Sequence, residues 1–194
     1  MTITPRIGLA IAFFSAAHES IGQKRKYTFE PYFNHCLEVA EIVSQVTDDE
    51  NVIIAAAGHD TKEDVTPINP YYSLDLIESN FGLRVKNMVI DLTDIYTKKV
   101  YPAWNRAKRK QAERERMELV CPDSQTIKLA DLISNTRSIV TYDKDFARVY
   151  LEEKLALLPY LKGGNESLQR QASCLAMDGI LSLGLTTVLS SGKL

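Results

Sequence analysis

The chain has 194 residues, of which 45% are hydrophobic and 25% are charged, a composition typical of a globular protein that excludes a disordered or fibrous chain. This length is enough to bury an apolar core, and we expect one domain over residues 1–194. The formal net charge of −2 gives no long-range field for a polyanion, so any phosphate must be recognised by a local cluster, and nucleic-acid binding is not indicated.

The three cysteines, Cys36, Cys121 and Cys174, are widely spaced. They predict neither a disulfide framework nor a CxxC zinc site, which fits a reducing cytoplasm. Polar residues interrupt the first apolar stretch well short of a membrane span, so we expect neither a signal peptide nor a transmembrane helix.

Apolar residues recur with helical spacing almost throughout, and no alternating runs joined by turn pairs predict a sheet. The pattern therefore predicts an all-α helical bundle. Between its helices we expect a basic loop at 23–30, an excursion at 96–104 and a frayed tail at 190–192. The predicted helices cover Pro5–Ser20, Pro31 to about Thr47, Asp49–Asp64, Ser73–Asn80, Leu83–Ile95, Arg106–Glu118, Pro122–Ile139, Lys144–Leu161 and Glu166–Leu189.

The third predicted helix combines an apolar centre with a polar end. Residues 52–57 are apolar nearly all round, which predicts a helix buried in the middle of the bundle. The same helix ends in His59-Asp60 and Glu63-Asp64, and a charge in such a setting is costly unless it is paired or bound.

Two further polar groups interrupt apolar helices, His35 in the second and Asp131 in the seventh. Imidazole and carboxylate are both ligands of first-row divalent ions. One metal site could therefore be formed by His35, His59, Asp60 and Asp131.

Polar side chains also stand one helical turn beyond the candidate ligands. Glu63 and Asp64 follow the His59-Asp60 pair by four residues, which places two acid/base candidates beside the metal. Asn135 follows Asp131 by the same spacing, and Ser138 lies near the next turn. A ligand facing that stripe would be held by neutral donors.

Each of these features also has an ordinary structural interpretation. A His-Asp dipeptide is common, and His18 is interpreted as a structural or surface residue. Glu63-Asp64 could be a solvated pair at a helix end. The alternating charges of 106–116 are typical of a solvated helix face or of a rim that attracts phosphate.

Five stretches carry a resemblance to a known family: Ala17-His18 with Gln23–Lys26, Pro31–His35 with Val39-Ala40, Ala56–Asp60 followed by Glu63-Asp64, Phe81-Gly82, and Ile127–Asp131 with Asn135 and Arg137. Their order and spacing resemble the HD superfamily. More narrowly, the chain is similar to the hydrolase domain of the Rel/Spo stringent-response proteins in its stand-alone form, the small alarmone hydrolases typified by the metazoan SpoT homologue. The likeness covers about Leu9 to Leu161.

The resemblance implies a single-domain, HD-type helical bundle with one bound manganese ion. The implied metal ligands are His35, His59, Asp60 and Asp131, and the implied pair that orients and deprotonates water is Glu63 and Asp64. The implied substrate contacts are Arg25 stacked on guanine, Lys26 near phosphate, Asn135 and Ser138 at the nucleoside, and Tyr150 at the nucleotide.

The reaction implied by the resemblance is hydrolysis of the 3′-pyrophosphate of ppGpp or pppGpp to GDP or GTP and pyrophosphate. The residues leave open another first-row metal, another nucleotide (an adenosine alarmone, NADPH or a deoxynucleoside monophosphate) and an inactive nucleotide-sensing domain. The residues predict no nucleic-acid or membrane partner, and they do not indicate the oligomeric state. Three residues depart from the family: Cys36 stands where relatives commonly carry proline, Gly58 where they carry a larger apolar residue, and Lys62 where they often carry an apolar or small residue.

Overall fold

The computed structural model describes residues 1–185, and within them it contains nine α-helices and no β-strand. This confirms the predicted all-α class. A π-helical turn, Thr61–Val65, follows the third helix, and a 3₁₀ turn, Leu158–Tyr160, follows the eighth. The helices are α1 Pro5–Ser20, α2 Phe33–Val43, α3 Glu50–Gly58, α4 Leu74–Phe81, α5 Leu83–Leu92, α6 Arg106–Leu119, α7 Pro122–Tyr142, α8 Lys144–Leu157 and α9 Glu166–Ser182.

Short polar residues begin several helices, as α4 illustrates. The side chain of Ser73 accepts a hydrogen bond from the backbone N–H of Leu76 and so satisfies one of the free donors of the first turn. Gly82 ends the helix with a φ of 91°, in the region that favours glycine. These start and stop signals of α4 were readable in the sequence.

Helix α3 lies at the centre of the bundle. It packs against α1, α2, α5 and α7, and every residue from Val52 to Gly58 is buried. The prediction of a central buried helix is therefore confirmed. Because α3 ends inside the bundle, the two residues that follow it, His59 and Asp60, are placed among the surrounding helices.

Gly58 is the point at which α3 meets the aromatic ring of Phe14 from α1. A Cβ atom built on Gly58 would lie 2.4 Å from Cζ of that ring. The ring is fully buried, and the rings of Phe13 and Phe81 lie 5.2 and 5.4 Å from it between centroids. A side chain at position 58 would therefore overlap this ring unless the ring or the helix moved.

The main difference from the predicted elements concerns the end of α3. The helix was expected to run to Asp64, but it ends at Gly58, and residues 61–65 form a separate π-helical turn. The wider turn is closed by a hydrogen bond from Thr66 N to Thr61 O at 3.0 Å. Turns of this kind change the direction in which side chains project and occur often at functional sites.

The remaining differences are at helix ends. Helix α2 begins at Phe33, two residues after the predicted Pro31, and α9 ends at Ser182. The predicted end of the last helix at Leu189 and the tail at 190–192 lie outside the described residues. Within residues 1–185, none of the helices has the length and apolarity needed to cross a membrane.

Candidate active site

Four side-chain atoms from three helical segments meet at the end of α3. His35 Nε2 lies 3.2 Å from Asp131 Oδ1 and 3.8 Å from Asp60 Oδ2. His59 Nε2 lies 3.1 Å from Asp60 Oδ2 and 3.8 Å from Asp131 Oδ1. The two imidazole nitrogens thus alternate with two carboxylate oxygens around one point. The structure brings together all four residues that the sequence suggested as one metal site.

Hydrogen bonds behind each imidazole fix which nitrogen faces this point. His35 Nδ1 lies 2.8 Å from Ser134 Oγ, and that hydroxyl donates to Glu38 Oε2 at 2.7 Å, so the ring must supply the proton in the first of these bonds. His59 Nδ1 lies 2.8 Å from the carbonyl oxygen of Ala56 and must donate to it. In the neutral form of both rings, Nε2 therefore carries the lone pair and directs it to the centre, as in metal-binding histidines.

The donor set fits one divalent cation. Two ligand atoms that each lie about 2.0–2.2 Å from one ion are about 3 Å apart when they meet it at a right angle. This separation is close to the two shorter distances between neighbouring donor atoms of the site, 3.1 and 3.2 Å. His59 Nε2 is buried and forms no hydrogen bond with any described residue. A buried nitrogen without a partner is costly, and a cation would satisfy it.

The charges of the site also favour a cation. Burial opposes protonation of His59, but the carboxylates of Asp60 and Asp131 outweigh it and raise the pKa of that ring to about 9. Burial alone would raise the pKa of Asp60, yet His59 and His35 hold it below its ordinary value. The two carboxylates therefore stay ionised in a buried setting, and their negative charge favours the binding of a cation.

Asp131 has two further partners on its own helix. Lys128 Nζ donates to Asp131 Oδ2 at 2.9 Å, and Asn135 Nδ2 donates to Asp131 Oδ1 at 2.6 Å. Burial disfavours the charged lysine, but Asp131 more than compensates and raises the pKa of Lys128. The predicted nucleoside contact Asn135 thus orients a candidate metal ligand in this structure.

The candidate acid/base pair lies on the π-helical turn, and its two carboxylates face different neighbours. Glu63 Oε2 accepts a hydrogen bond from the backbone N–H of Asp94 at 3.1 Å, while Asp64 Oδ2 accepts one from Gln23 Nε2 at 2.7 Å. Desolvation, together with the charges of Asp94 and Asp60, raises the pKa of Glu63 to about 7. Desolvation and Asp60 also raise the pKa of Asp64.

A cavity of about 210 Å³ adjoins the metal ligands on the side of Asp131, between α6, α7 and α8. Asn135 and Tyr150 line it, as do Asp94 and Asp131. Its walls carry five basic side chains, and three of them recur at intervals of four residues along α6, so one face of the mixed-charge helix points into the cavity. The five are Arg106, Lys110, Arg114, Lys128 and Lys154.

The other predicted substrate residues lie outside the lining of this cavity. The guanidinium carbon of Arg25 lies 6.0 Å from the centre of the Tyr32 ring, beside the candidate metal ligands. Lys26 Nζ lies 2.9 Å from Asp143 Oδ2, at the start of α8, and Ser138 is half-buried on α7. The structure therefore gathers Asn135 and Tyr150 in the cavity and leaves Arg25, Lys26 and Ser138 around it.

The sequence assigned no role to several residues of the site. The position of Lys128, three residues before Asp131 on one helix, is a signal that could have indicated their pairing. Gln23 and Tyr32 lie in stretches that resemble the family, but nothing in the sequence indicated their partners. They lie on a loop and at a helix start, and only the tertiary fold brings them to Asp64 and Asp60.

The sequence was compared with family models and with individual proteins. The HD domain family matches residues 10–157. Mouse (Mus musculus) guanosine-3′,5′-bis(diphosphate) 3′-pyrophosphohydrolase MESH1 is 29% identical over 162 residues, which is 79% of this chain and 84% of the relative. The human (Homo sapiens) protein of the same name is 27% identical over 168 residues, 83% of this chain and 88% of that one.

A bacterial relative and a solved structure complete the comparison. The GTP pyrophosphokinase rsh of Brucella melitensis is 31% identical over 157 residues, but these are 78% of this chain and 20% of that longer protein. A solved metazoan ortholog of SpoT, described as hydrolysing ppGpp, superposes with a TM-score of 0.76 at 24% identity and covers 92% of this chain and 97% of its own. That similarity establishes the helical fold.

Proposed function

The chain belongs to the HD domain family, and on that premise we propose that it is a phosphohydrolase that removes the 3′-pyrophosphate from ppGpp and pppGpp, giving GDP or GTP and pyrophosphate. The observation that carries the proposal is the ring of two imidazole nitrogens and two carboxylate oxygens at the end of α3. Relatives of similar length are named as hydrolases of this 3′-pyrophosphate. The activity would belong to one domain acting in the cytoplasm.

The four candidate ligands would hold one divalent ion, for which we propose Mn²⁺, because a set of two imidazoles and two carboxylates suits such ions. When bound, the ion supplies Lewis acidity toward a phosphoryl oxygen and lowers the pKa of water. The ligands are His35, His59, Asp60 and Asp131.

The carboxylates of Glu63 and Asp64 would accept the proton of the attacking water. A pKa of about 7 for Glu63 suits a general base near neutral pH. Asp64 has one oxygen held by Gln23, and its other oxygen accepts no hydrogen bond from residues 1–185, so it is available to water. The water oxygen bonds to phosphorus, the bond to the ribose 3′ oxygen breaks, and that oxygen takes up a proton.

Basic side chains around the site support binding of a nucleotide with two phosphorylated arms. Three guanidinium or ammonium groups of α6 face the cavity beside Asp131, where they would contact phosphate oxygens. Arg25 lies beside Tyr32, and a guanidinium stacks well on a planar base. Asn135 and Tyr150 line the same cavity and would contact the nucleoside.

The test is a product assay with purified protein and Mn²⁺. We expect ppGpp to give GDP and pyrophosphate, and ppApp, NADPH and deoxynucleoside monophosphates to react more slowly. Asp178→Ala is a matched control, because Asp178 is exposed on α9 away from the site. Release of phosphate or pyrophosphate from another member of the panel at a higher kcat/KM would assign a different substrate. No turnover of any member would support a nucleotide-sensing domain instead.

A further inference from the structure

We infer that Gln23 and His18 are positioning residues for the hydrolysis proposed above, because they form a partly buried hydrogen-bonded chain that holds the carboxylate of Asp64 in one orientation. The inference rests on the proposed function for its catalytic meaning. The chain itself is a feature of the structure that can be tested without activity.

Three contacts make up the chain. Gln23 Nε2 donates to Asp64 Oδ2 at 2.7 Å, Gln23 Oε1 lies 2.6 Å from His18 Nδ1, and His18 Nε2 lies 3.7 Å from the sulfur of Cys36. His18 and Cys36 are both buried. The residues come from α1, the following loop, α2 and the π-helical turn, so the chain joins four segments of the fold.

The direction of each hydrogen bond follows from the first one. An ionised carboxylate can only accept, so the amide group of Gln23 must present its NH₂ to Asp64 and its oxygen to His18. His18 must therefore carry its proton on Nδ1. Burial lowers the pKa of His18 and favours the neutral ring, whose Nε2 then accepts from the thiol of Cys36.

The same histidine supports a candidate metal ligand. Its ring stacks on Tyr32, with the centroids 5.3 Å apart and the planes inclined by 29°, and the Tyr32 hydroxyl donates to Asp60 Oδ2 at 2.8 Å. His18 thus lies behind both the carboxylate that would handle water and a carboxylate that would hold the metal. A shift of its ring would disturb their relative position.

The loop geometry keeps Gln23 in place between its two partners. Its backbone N–H donates to His18 O at 3.2 Å, and its carbonyl oxygen accepts from Tyr32 N at 3.1 Å. Without the side-chain bond from Gln23, Asp64 could rotate about its own side chain. A misplacement of about 1 Å at a reacting group costs up to about a hundredfold in rate, so we expect the loss of this bond to lower kcat by roughly tenfold to a hundredfold.

The experiment is a double-mutant cycle. Gln23→Met preserves the length of the side chain and removes both hydrogen bonds, and Gln45→Met is the matched control, because Gln45 is exposed at the end of α2. We expect Gln23→Met to lower kcat on ppGpp with Mn²⁺ and to lose most of that effect in an Asp64→Asn background, since residues that act through one another are not additive. An equal loss in both backgrounds would overturn the inference.

A second measurement tests the hydrogen-bonded chain of His18, Gln23 and Asp64 independently of turnover. The protein has three histidines, so the ring nitrogens can be assigned by ¹⁵N NMR of Mg²⁺-loaded protein with His18→Phe as the reference. We expect His18 to carry its proton on Nδ1 and Gln23→Met to change this tautomer. A proton on Nε2 in the wild type would overturn the chain. If the wild type releases no pyrophosphate from ppGpp, the proposed function fails. The NMR result would still show whether the hydrogen-bonded chain exists.

Discussion

Replacing Gly58 by alanine tests how closely α3 must pack to deliver the candidate ligands. Two effects oppose each other. Alanine is favoured over glycine by up to about 1 kcal/mol in a helix, which is an upper limit for Gly58 because it is the last residue of α3. A Cβ at this position, however, would lie 2.4, 2.6 and 2.8 Å from three atoms of the Phe14 ring. Carbon atoms pack at about 3.5–4.0 Å, so the ring or the helix must move by about an ångström.

The ring has little room to move, because it is fully buried and bordered by Phe13 and Phe81. Overpacking of this kind costs typically about 1–3 kcal/mol, and the severity of the overlap places it near the upper end. After subtracting a gain of up to about 1 kcal/mol in helix propensity, we expect Gly58→Ala to lower the free energy of unfolding by about 2–3 kcal/mol. For a protein of this size that lowers Tm by about 4–12 °C.

The assay is thermal unfolding with Gly8→Ala as a matched control. Gly8 is also in a helix, but a Cβ there would meet only Ile3, at an ordinary 3.6 Å, so the same substitution should raise Tm by about 1–4 °C. In a Phe14→Leu background the penalty at Gly58 should shrink. A Gly58→Ala protein as stable as the wild type, or an equal loss with Leu at position 14, would refute the packing argument.

Three further predictions concern the site and its surroundings. Asp131→Ala should lose bound Mn²⁺ in metal analysis after desalting, and stoichiometric metal would contradict its role as a ligand. Arg25→Ala should raise the KM for ppGpp about ten- to a hundredfold with a smaller change in kcat, because base stacking contributes on the order of 1–3 kcal/mol in nucleic-acid binders; an unchanged KM would place the base elsewhere. Burial lowers the pKa of Lys154 from 10.5 to about 7, so the unfolded chain binds one more proton between these values and the free energy of unfolding should rise with pH across that window. Denaturant unfolding should reveal this rise in the wild type, and Lys154→Met should flatten it; an identical rise in the variant would assign it to other groups.

The site was predictable from sequence where chemistry and local spacing coincide. A histidine or aspartate inside an apolar helix is costly, and this alone pointed to His35 and Asp131. These inferences depend on residue type and on helical period, which are both local properties.

The end of α3 and the surroundings of Asp64 were not predictable in this way. Continuous apolar and polar spacing extended the helix to Asp64, but a π-helical turn directs Glu63 and Asp64 to different neighbours. No residue in 61–65 signals that turn in the sequence.

The sequence by itself determined the all-α class, the central place of α3 and the residue types that can hold a divalent ion, because periodicity and the cost of buried charge act along a single helix. Only the tertiary structure decided which partners each of those groups received. Gln23 reaches Asp64 across 41 positions of the chain, and Ser134 reaches His35 across 99. Hydrogen bonds at such separations depend on how helices pack in three dimensions, and the spacing of residues along the sequence does not give that packing.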